Sequence, residues 1–294
     1  MADRGWINAL SSERPVLIAG PTASGKSALA VEIVSRSGGV IVNADALQVY
    51  TCWRLLTARP SVADESALRH RLYGHVACDQ DYSVGHWLRE VMEIMAEGSR
   101  PVIVGGTGLY FSALTEGLAE IPATPAEVRR EADIRIAVEG KAALLAELDP
   151  ATRARIDNMN PARIQRAWEV MRATGRSLAA WQGETAAPAL PLSAVEAIVL
   201  RPAVGWLNAR IEQRFDAMIA AGALEEVRAQ LPEWQPMRAS SRAIGAPELV
   251  AHLRGELPLT EAVSLAKIAT RQYAKRQRTW FRKRMQSWIP LDPA

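Results

Sequence analysis

The segment Gly20-Pro-Thr-Ala-Ser-Gly-Lys-Ser27 constrains the fold most, because it matches the pattern G-x-x-x-x-G-K-[ST] of a phosphate-binding loop. The apolar run Val16–Ala19 before it predicts a strand, and the run Leu29–Val34 after it predicts a helix. In that setting the backbone N–H groups and the positive end of the helix dipole surround an anion. The residues predicted to bind a di- or triphosphate are Gly20, Pro21, Thr22, Ala23, Ser24, Gly25, Lys26 and Ser27.

Two side chains at the end of this loop have predicted roles. Lys26 supplies a mobile positive charge for the outer phosphate, and the Ser27 hydroxyl is the predicted ligand of Mg²⁺. The loop alone is typical of ATP- and GTP-binding proteins, but it does not specify which molecule carries the phosphate. A glycine-rich structural turn is the alternative, and the strand and helix on either side disfavour it.

Composition excludes several other classes of protein. The chain has 294 residues, of which 49% are hydrophobic, enough for one large domain or two ordinary ones. No apolar run approaches the roughly 20 residues that span a bilayer, and no secretion signal is evident at the start. Cys52 and Cys78 match no zinc or redox spacing, so we expect free thiols. These features predict a cytoplasmic protein without a membrane partner, and we also expect a monomer.

Alternating apolar strands and helical patterns predict an α/β fold with a parallel sheet covered by helices on both faces. Val40–Val42 and Pro101–Val104 are further short strands, and Trp87–Ala96 is a helix between them. From Pro125 to Ala180 the chain is rich in Ala, Arg and Glu and predicts only helices. Because strand character returns at Val195–Leu200, the helical block is predicted to be an insertion into the sheet domain.

This organisation gives predicted domain boundaries. Residues 1–117 and 199–294 form the predicted core that carries the phosphate loop, and residues 118–198 form the inserted helical domain. The second part of the core is predicted to contain one long helix, Trp206–Gln230, and a basic helix from about Thr260 to Gln286.

Asp45 and Thr107 each follow a predicted strand. In open parallel sheets, ligands bind beyond the carboxyl ends of the strands, so both residues are expected beside the phosphate loop. Asp45 can orient a nucleophile or accept its proton, and the Thr107 hydroxyl can donate a hydrogen bond to a phosphate or a substrate. A helix cap and a turn residue are the alternative roles, and the neighbouring loop favours the chemical ones.

The last helix carries a concentrated positive charge, because half of residues 271–284 are Lys or Arg and none is acidic. Residues at helical spacing on one face are Arg271, Lys275, Arg278 and Arg282. Such a stripe suits a nucleic-acid backbone. Residues on a neighbouring face that can stack on or bond to an unstacked base are Tyr273, Gln277 and Trp280. A solvated charged surface is the alternative.

Together these segments resemble the tRNA dimethylallyltransferases, or IPP transferases, over nearly the whole chain. The collinear matching motifs are Gly20–Ser27, Asn43-Ala-Asp-Ala-Leu-Gln-Val-Tyr50, Thr57-Ala-Arg-Pro60, His70-Arg-Leu72, Gly105-Gly-Thr-Gly-Leu-Tyr110, Asn160-Pro-Ala-Arg-Ile-Gln-Arg166, Arg210-Ile-Glu-Gln-Arg-Phe215, Ser241-Arg-Ala-Ile-Gly245 and Arg271-Gln-Tyr-Ala-Lys-Arg-Gln277. The resemblance implies a sheet like that of P-loop NTPases, flanked by helices, with an inserted all-helical domain.

The resemblance also implies a reaction. The dimethylallyl group of dimethylallyl diphosphate would pass to the exocyclic amine of the adenosine just 3′ of the anticodon, in tRNAs that read codons starting with U. The loop would hold the diphosphate and Mg²⁺ rather than ATP. Asp45 would take the proton from the amine, and Lys26 and arginine residues would stabilise the departing diphosphate. Thr107 and Arg129 would act at the reaction centre.

The anticodon stem-loop of tRNA is the macromolecular partner that the resemblance implies. Its predicted contacts are Asp45, Ala46, Leu47, Gln48, Arg163, Gln165, Arg166, Arg242, Gly245, Lys275, Arg276, Gln277, Arg278, Trp280 and Arg282. The chain departs from the usual family pattern with Ala46 in place of a serine, Arg59 in place of a lysine, and Ala246-Pro247 where a tyrosine is usual. These departures leave the loop and Asp45 in place.

Three other functions use some of the same features. An adenylate isopentenyltransferase would modify free AMP, ADP or ATP, but it would need neither the inserted helices nor the basic helix. A P-loop small-molecule kinase would need an adenine pocket, for which no signature is evident. A nucleic-acid-binding protein with a purely structural loop would leave Asp45 and Thr107 without a role.

Overall fold

The computed structural model describes residues 5–293, so residues 1–4 and 294 of the predicted core lie outside the described residues. The described residues contain one parallel sheet with the strand order β3-β2-β4-β1-β5-β6. Its strands are β1 (Val16–Ala19), β2 (Val40–Asn43), β3 (His70–Arg71), β4 (Pro101–Gly105), β5 (Glu196–Leu200) and β6 (Ile289–Leu291).

Single α-helices separate the first four strands, and series of helices separate β4 from β5 and β5 from β6. The helices are α1 (Lys26–Ser37), α2 (Val62–Ala67), α3 (Val84–Ala96), α4 (Gly108–Glu116), α5 (Ala126–Glu139), α6 (Lys141–Glu147), α7 (Pro150–Arg155), α8 (Pro161–Thr174), α9 (Leu178–Gly183), α10 (Val204–Ala220), α11 (Ala223–Gln230), α12 (Ala246–Leu253) and α13 (Leu259–Arg284). Within residues 5–293, every helix is too short or too polar to cross a membrane.

Strand β1 is buried on both faces, because its side chains alternate between two apolar cores. Leu17 lies in a core with residues of α3, α4 and α13, whereas Ile18 lies in a core with residues of α1. Helices therefore cover both faces of the sheet, as the uninterrupted apolar strands predict.

The sheet register brings three strand ends to one edge. Ala19 at the end of β1 pairs with Gly105 at the end of β4, and Asn43 at the end of β2 pairs with Val104. Because β2, β4 and β1 are adjacent and parallel, the loops that follow them leave the sheet side by side. This edge is where Asp45, Thr107 and the phosphate loop are predicted to meet.

The described residues divide into a sheet unit, residues 5–115 and 190–293, and a helical unit, residues 116–189. The predicted boundary between residues 198 and 199 falls inside β5 and needs correction. Residues Glu196–Leu200 form β5, whose first four residues pair with β1, and the backbone N–H of Leu190 donates to the carbonyl of Leu114. These bonds place residues 190–198 with the sheet.

The helical unit has its own small core, which includes Leu144, Ile164 and Trp168. Two of its helices begin with proline in the first turn, where the missing N–H costs nothing. The Asp149 and Asn160 side chains cap these helices by accepting backbone N–H groups.

The long helix predicted over Trp206–Gln230 is wrong, because the structure has two helices there. Helix α10 ends at Ala220 and α11 begins at Ala223. Gly222 between them has φ 102°, a left-handed conformation that a helix interior does not accommodate and that glycine adopts at low cost.

The prediction of free thiols is also wrong, because Cys52 and Cys78 form a disulfide. An isolated bridge between Tyr50 and Val76, with the Thr51 N–H donating to the Val76 carbonyl, aligns the two segments. The Cα atoms of Cys52 and Cys78 thereby lie 5.9 Å apart, within the range of a disulfide. Spacing rules for zinc and redox motifs do not detect such a pairing, which depends on tertiary structure.

We expect reduction of this disulfide to lower the free energy of unfolding by about 2–4 kcal/mol, because it removes a cross-link from the unfolded chain. Denaturant unfolding with and without a thiol reductant measures the effect. A Cys52→Ser/Cys78→Ser variant should have the unfolding midpoint of the reduced protein, and adding the reductant should not change it. Equal unfolding midpoints for the wild-type protein in both conditions would contradict the prediction.

Candidate active site

The phosphate loop leaves β1 and reaches α1 through residues with positive φ, Ala23 at 65° and Gly25 at 87°. The Ser24 hydroxyl is fully buried and has no hydrogen-bond partner among the described residues. Gly20 lies against it, since a Cβ at Gly20 would be 2.7 Å from Ser24 Oγ. A buried polar atom without a partner is costly, so this cradle suits a polar ligand such as an anion.

Two arginines of α10 flank the loop on its outer side. Arg210 Nε donates to the Ala23 carbonyl at 3.0 Å, and the Arg214 guanidinium donates to the Thr22 hydroxyl. Together with Gln213 they line a cavity of about 250 Å³ beside Ala23. Two guanidinium groups at a phosphate loop make this cavity favourable for an anion.

The family resemblance implies that arginines stabilise the diphosphate, but it does not identify Arg210 and Arg214 as those residues. The available signal was their spacing, because Arg210 and Arg214 are four residues apart and share one helix face.

Lys26 is the charged side chain of the loop itself. Its pKa is lowered to about 8, mainly by burial, which the negative charge of Asp45 partly offsets, while the positive charge of Arg214 also lowers the pKa. Burial also lowers the pKa of Arg214 to about 10, against the attraction of Asp45. Both cations therefore lack sufficient compensating negative charge in the free protein, and a bound anion would supply it.

We expect the affinity for pyrophosphate to fall as the pH rises above about 8, because Lys26 loses its proton there and the anion prefers the charged form. Well below that pH, Lys26 is fully protonated, and its contribution to the pyrophosphate affinity is at its maximum. Titration calorimetry between about pH 7 and pH 9.5 tests this. Lys26→Arg stays charged throughout and corrects for titration of pyrophosphate itself. Parallel pH profiles for both proteins would contradict the prediction.

Asp45 is held by the residues around it. Its backbone N–H donates to Asn43 Oδ1 at 2.8 Å, and its own Oδ1 accepts from the Leu47 N–H at 3.0 Å. Asn43 is fully buried, and Trp87 Nε1 donates to its carbonyl at 2.6 Å. Oδ2 of Asp45 accepts no hydrogen bond from the described residues, which leaves it available to accept a proton.

Thr107 is tied to the same segment. Its backbone N–H donates to the Ala44 carbonyl at 3.1 Å, and its Oγ1 accepts from the Ala46 N–H at 2.9 Å. Gly105 permits this close approach, because a Cβ there would be 2.0 Å from the Ala44 carbonyl oxygen. The structure thus brings Thr107, Asp45 and the phosphate loop together, as the strand order predicts.

The negative charge of Asp45 affects three tyrosines. The pKa values of Tyr73, Tyr110 and Tyr273 are raised, first by burial and then by the negative charge of Asp45. Tyr110 is buried against Trp87, and Tyr273 belongs to α13. Trp280, two turns further along α13, packs on Gly108, where a Cβ would be 2.4 Å from the indole ring.

Comparison with known proteins decides the family. The sequence model of the IPP transferase family matches residues 48–284. The chain belongs to the IPP transferase family. A tRNA dimethylallyltransferase of Cereibacter sphaeroides is 70% identical over 95% of this chain and 89% of its own length. One of Roseobacter denitrificans is 63% identical over 96% of this chain and 99% of its own length.

A solved structure extends the comparison to the fold. The full-length tRNA isopentenylpyrophosphate transferase of Bacillus halodurans superposes with a TM-score of 0.65 at 30% identity, covering 96% of this chain and 90% of that one. The family resemblance and the fold predicted from the sequence are both confirmed.

Several residues predicted to contact tRNA in this IPP transferase face the protein interior instead. Gln277 is 5% exposed. Gln48 Nε2 donates to the carbonyls of Thr57 and Ala58 at 2.7 and 3.0 Å. Gly245 is buried at the start of α12 with φ 96° against Phe215. The Gln48 amide is thus engaged in holding a neighbouring loop, whereas Gln277 and Gly245 are covered by other parts of the sheet unit.

Other predicted contacts are accessible. Lys275, Arg276 and Arg282 are exposed on α13, Arg242 is exposed before α12, and Arg278 is half-buried. Predicted contacts that are half-buried near the strand edge are Ala46, Leu47 and Trp280. Lys275, Arg276 and Arg282 thus form an exposed basic face of α13. Arg271, the first residue of the predicted stripe, is instead half-buried and forms an ion pair with Glu212 at 2.7 Å.

The remaining predicted residues belong to the helical unit. Arg129 and Arg163 are exposed. Gln165 Nε2 donates to Asp133 and Glu169 at 2.7 and 2.9 Å, so its amide is engaged within the unit. Arg166 donates to Thr124, and burial lowers its pKa. Their predicted roles toward substrate stay predictions.

Proposed function

We propose that this protein transfers the dimethylallyl group of dimethylallyl diphosphate to the exocyclic amine of the adenosine 3′ of the anticodon in tRNA. The observation that carries the proposal is the position of Asp45 beside the phosphate loop. The Gly20 N–H of that loop donates to the Gly105 carbonyl, and a Cβ at the next residue, Gly106, would lie 3.4 Å from Asp45 Oδ2. A leaving-group site and a proton acceptor thus lie side by side. The relatives named tRNA dimethylallyltransferase support this reaction.

The phosphate loop has the task of stabilising the leaving group. When the allylic C–O bond breaks, its electron pair stays on the diphosphate oxygen, and negative charge grows there. The loop N–H groups, Lys26 and Arg214 are fixed donors beside that position. Arg210, held by the Ala23 carbonyl, adds charge at the outer cavity.

Asp45 has the task of accepting the proton. As the adenine nitrogen bonds to the allylic carbon, it becomes positively charged and must lose a proton. Oδ2 is the carboxylate oxygen free to take it, while Oδ1 is held by the Leu47 N–H.

Mg²⁺ fits the site as a companion of the diphosphate. Among the residues described here, no cluster of three acidic, His or Cys side chains could hold a metal alone. Ser27 is exposed at the start of α1, and its hydroxyl would hold the ion together with diphosphate oxygens and water. The ion would neutralise charge on the leaving group.

The exposed basic face of α13 and the inserted helices would bind the anticodon stem-loop of tRNA. The tRNAs that are modified would be those that read codons starting with U. A tRNA substrate also supports a cytoplasmic location. The adenosine must leave its stack to reach Asp45, which costs a few kcal/mol that contacts to the RNA must supply.

Incubation with labelled dimethylallyl diphosphate and either tRNA or AMP tests the proposal. We expect label in tRNA, at the adenosine 3′ of the anticodon, and none in AMP. Label in AMP alone would identify an adenylate isopentenyltransferase and overturn the proposal. Absence of label in both acceptors would equally contradict it.

Replacement of Lys275 and Arg278 by alanine should weaken tRNA binding and its salt dependence, because each contact with a backbone phosphate releases counterions. For two contacts the slope of log affinity against log salt should fall by about 1.5. Arg228→Ala/Arg254→Ala removes the same charge from exposed positions outside α13 and should leave the slope unchanged. An unchanged slope in the Lys275/Arg278 variant would place the RNA elsewhere.

A further inference from the structure

Gln277 is a buried amide on a helix that otherwise presents charge. Its neighbours Lys275 and Arg276 are exposed, whereas Gln277 is 5% exposed and points toward the strand edge. Burying a polar side chain is costly unless its hydrogen bonds are made, so the contacts of this amide indicate what it does.

Both ends of the amide bond to loops of the active site. Gln277 Oε1 accepts the backbone N–H of Thr22 at 2.8 Å, and Nε2 donates to the Gly106 carbonyl at 2.9 Å. The orientation of the amide is fixed, because an N–H can only donate and a carbonyl can only accept. One side chain of α13 therefore connects the phosphate loop after β1 to the loop after β4.

The surroundings leave little space for any other arrangement. A Cβ at Gly106 would be 2.2 Å from Gln277 Nε2 and 3.4 Å from Asp45 Oδ2. Thr22 is fixed a second time by Arg214, which donates to its hydroxyl. The central part of the phosphate loop is thus held between α10 and α13.

We propose that Gln277 is a positioning residue through which α13 sets the conformation of the phosphate loop. Its role is to hold the Thr22 peptide so that the remaining loop N–H groups converge on the diphosphate. Because Gln277 shares its helix with the exposed basic face, RNA bound to that face and diphosphate bound in the loop should affect each other's affinity. This coupling rests on the proposed function, whereas the positioning of the loop does not.

Pyrophosphate binding with Mg²⁺ tests the positioning role without catalysis. Gln277→Met keeps the length of the side chain and removes both hydrogen bonds, and we expect it to lower pyrophosphate affinity about tenfold, as loss of about 1.4 kcal/mol would. Gly106→Ala displaces the amide from the other side and should have a similar effect. Gln272→Met, at an exposed position of the same helix, is the matched control and should bind normally.

The same titrations with a saturating anticodon stem-loop RNA measure the coupling. The wild-type protein should bind pyrophosphate at least fivefold more tightly or more weakly with RNA than without it, and Gln277→Met should show less than a twofold difference. Wild-type affinity in Gln277→Met and Gly106→Ala would overturn the positioning role. A wild-type protein that binds RNA without any change in pyrophosphate affinity would overturn the coupling. If RNA does not bind at all, the proposed function fails, and the RNA-free titrations still decide the role of Gln277.

Discussion

Asp45→Asn should reduce dimethylallyl transfer to tRNA by about 10²–10⁴-fold while tRNA affinity changes little. The asparagine side chain has the same shape and can still accept the Leu47 N–H through its oxygen, so the local loop should persist. It cannot take the proton that the adenine amine releases. Single-turnover transfer with saturating tRNA and dimethylallyl diphosphate measures the chemical step directly.

Asp79→Asn is the matched control for this experiment, because it removes one exposed carboxylate with no role in the proposed mechanism. It should transfer the dimethylallyl group at the wild-type rate. If Asp45→Asn also retained a rate close to that of the wild-type protein, another group or water would be the proton acceptor.

Lys26→Met should lower the single-turnover rate by about 10²–10³-fold, the typical effect of losing one fixed donor to a developing negative charge. Methionine fills a similar volume but cannot neutralise the departing diphosphate. The residual rate comes from Arg214 and the loop N–H groups, which the substitution leaves in place. Pyrophosphate affinity should fall as well, because the same charge binds the product.

Lys141→Met provides the control for Lys26→Met. Lys141 is outside the phosphate loop and donates to the Met159 carbonyl within the helical unit. The pyrophosphate affinity of the Lys141→Met variant should equal that of the wild-type protein. A normal transfer rate in Lys26→Met would show that this lysine does not stabilise the leaving group.

The parts of the site that the sequence predicts are those with local signatures. The phosphate loop is one continuous segment between a strand and a helix, so its pattern is readable without tertiary information. Asp45 and Thr107 follow apolar strands, and the parallel arrangement of β2, β4 and β1 brings those strand ends together. The rule that ligands bind beyond the carboxyl ends of parallel strands is therefore sufficient to place Asp45 and Thr107 at this edge.

The parts that the sequence does not predict depend on contacts between distant segments. Strand β3 has two residues and β6 has three, too few for a periodic pattern, and they exist because neighbouring strands supply their partners. The Cys52–Cys78 disulfide depends on pairing of two loops.

Gln277 shows the same limit within a correctly predicted helix. Helical spacing assigns it to the face beside the basic stripe, but it does not show whether that face meets solvent or protein. Packing of α13 against the strand edge turns this face inward, and the amide then bonds to Thr22 and Gly106. Its hydrogen bonds belong to the phosphate loop rather than to RNA.

The central claim is that the phosphate loop holds a leaving diphosphate and not a nucleotide that provides energy. The most direct test measures diphosphate release and dimethylallyl transfer to tRNA in one reaction without ATP. We predict one diphosphate released for each group transferred, with no stimulation by ATP. A requirement for ATP, or release of orthophosphate in place of diphosphate, would contradict the account.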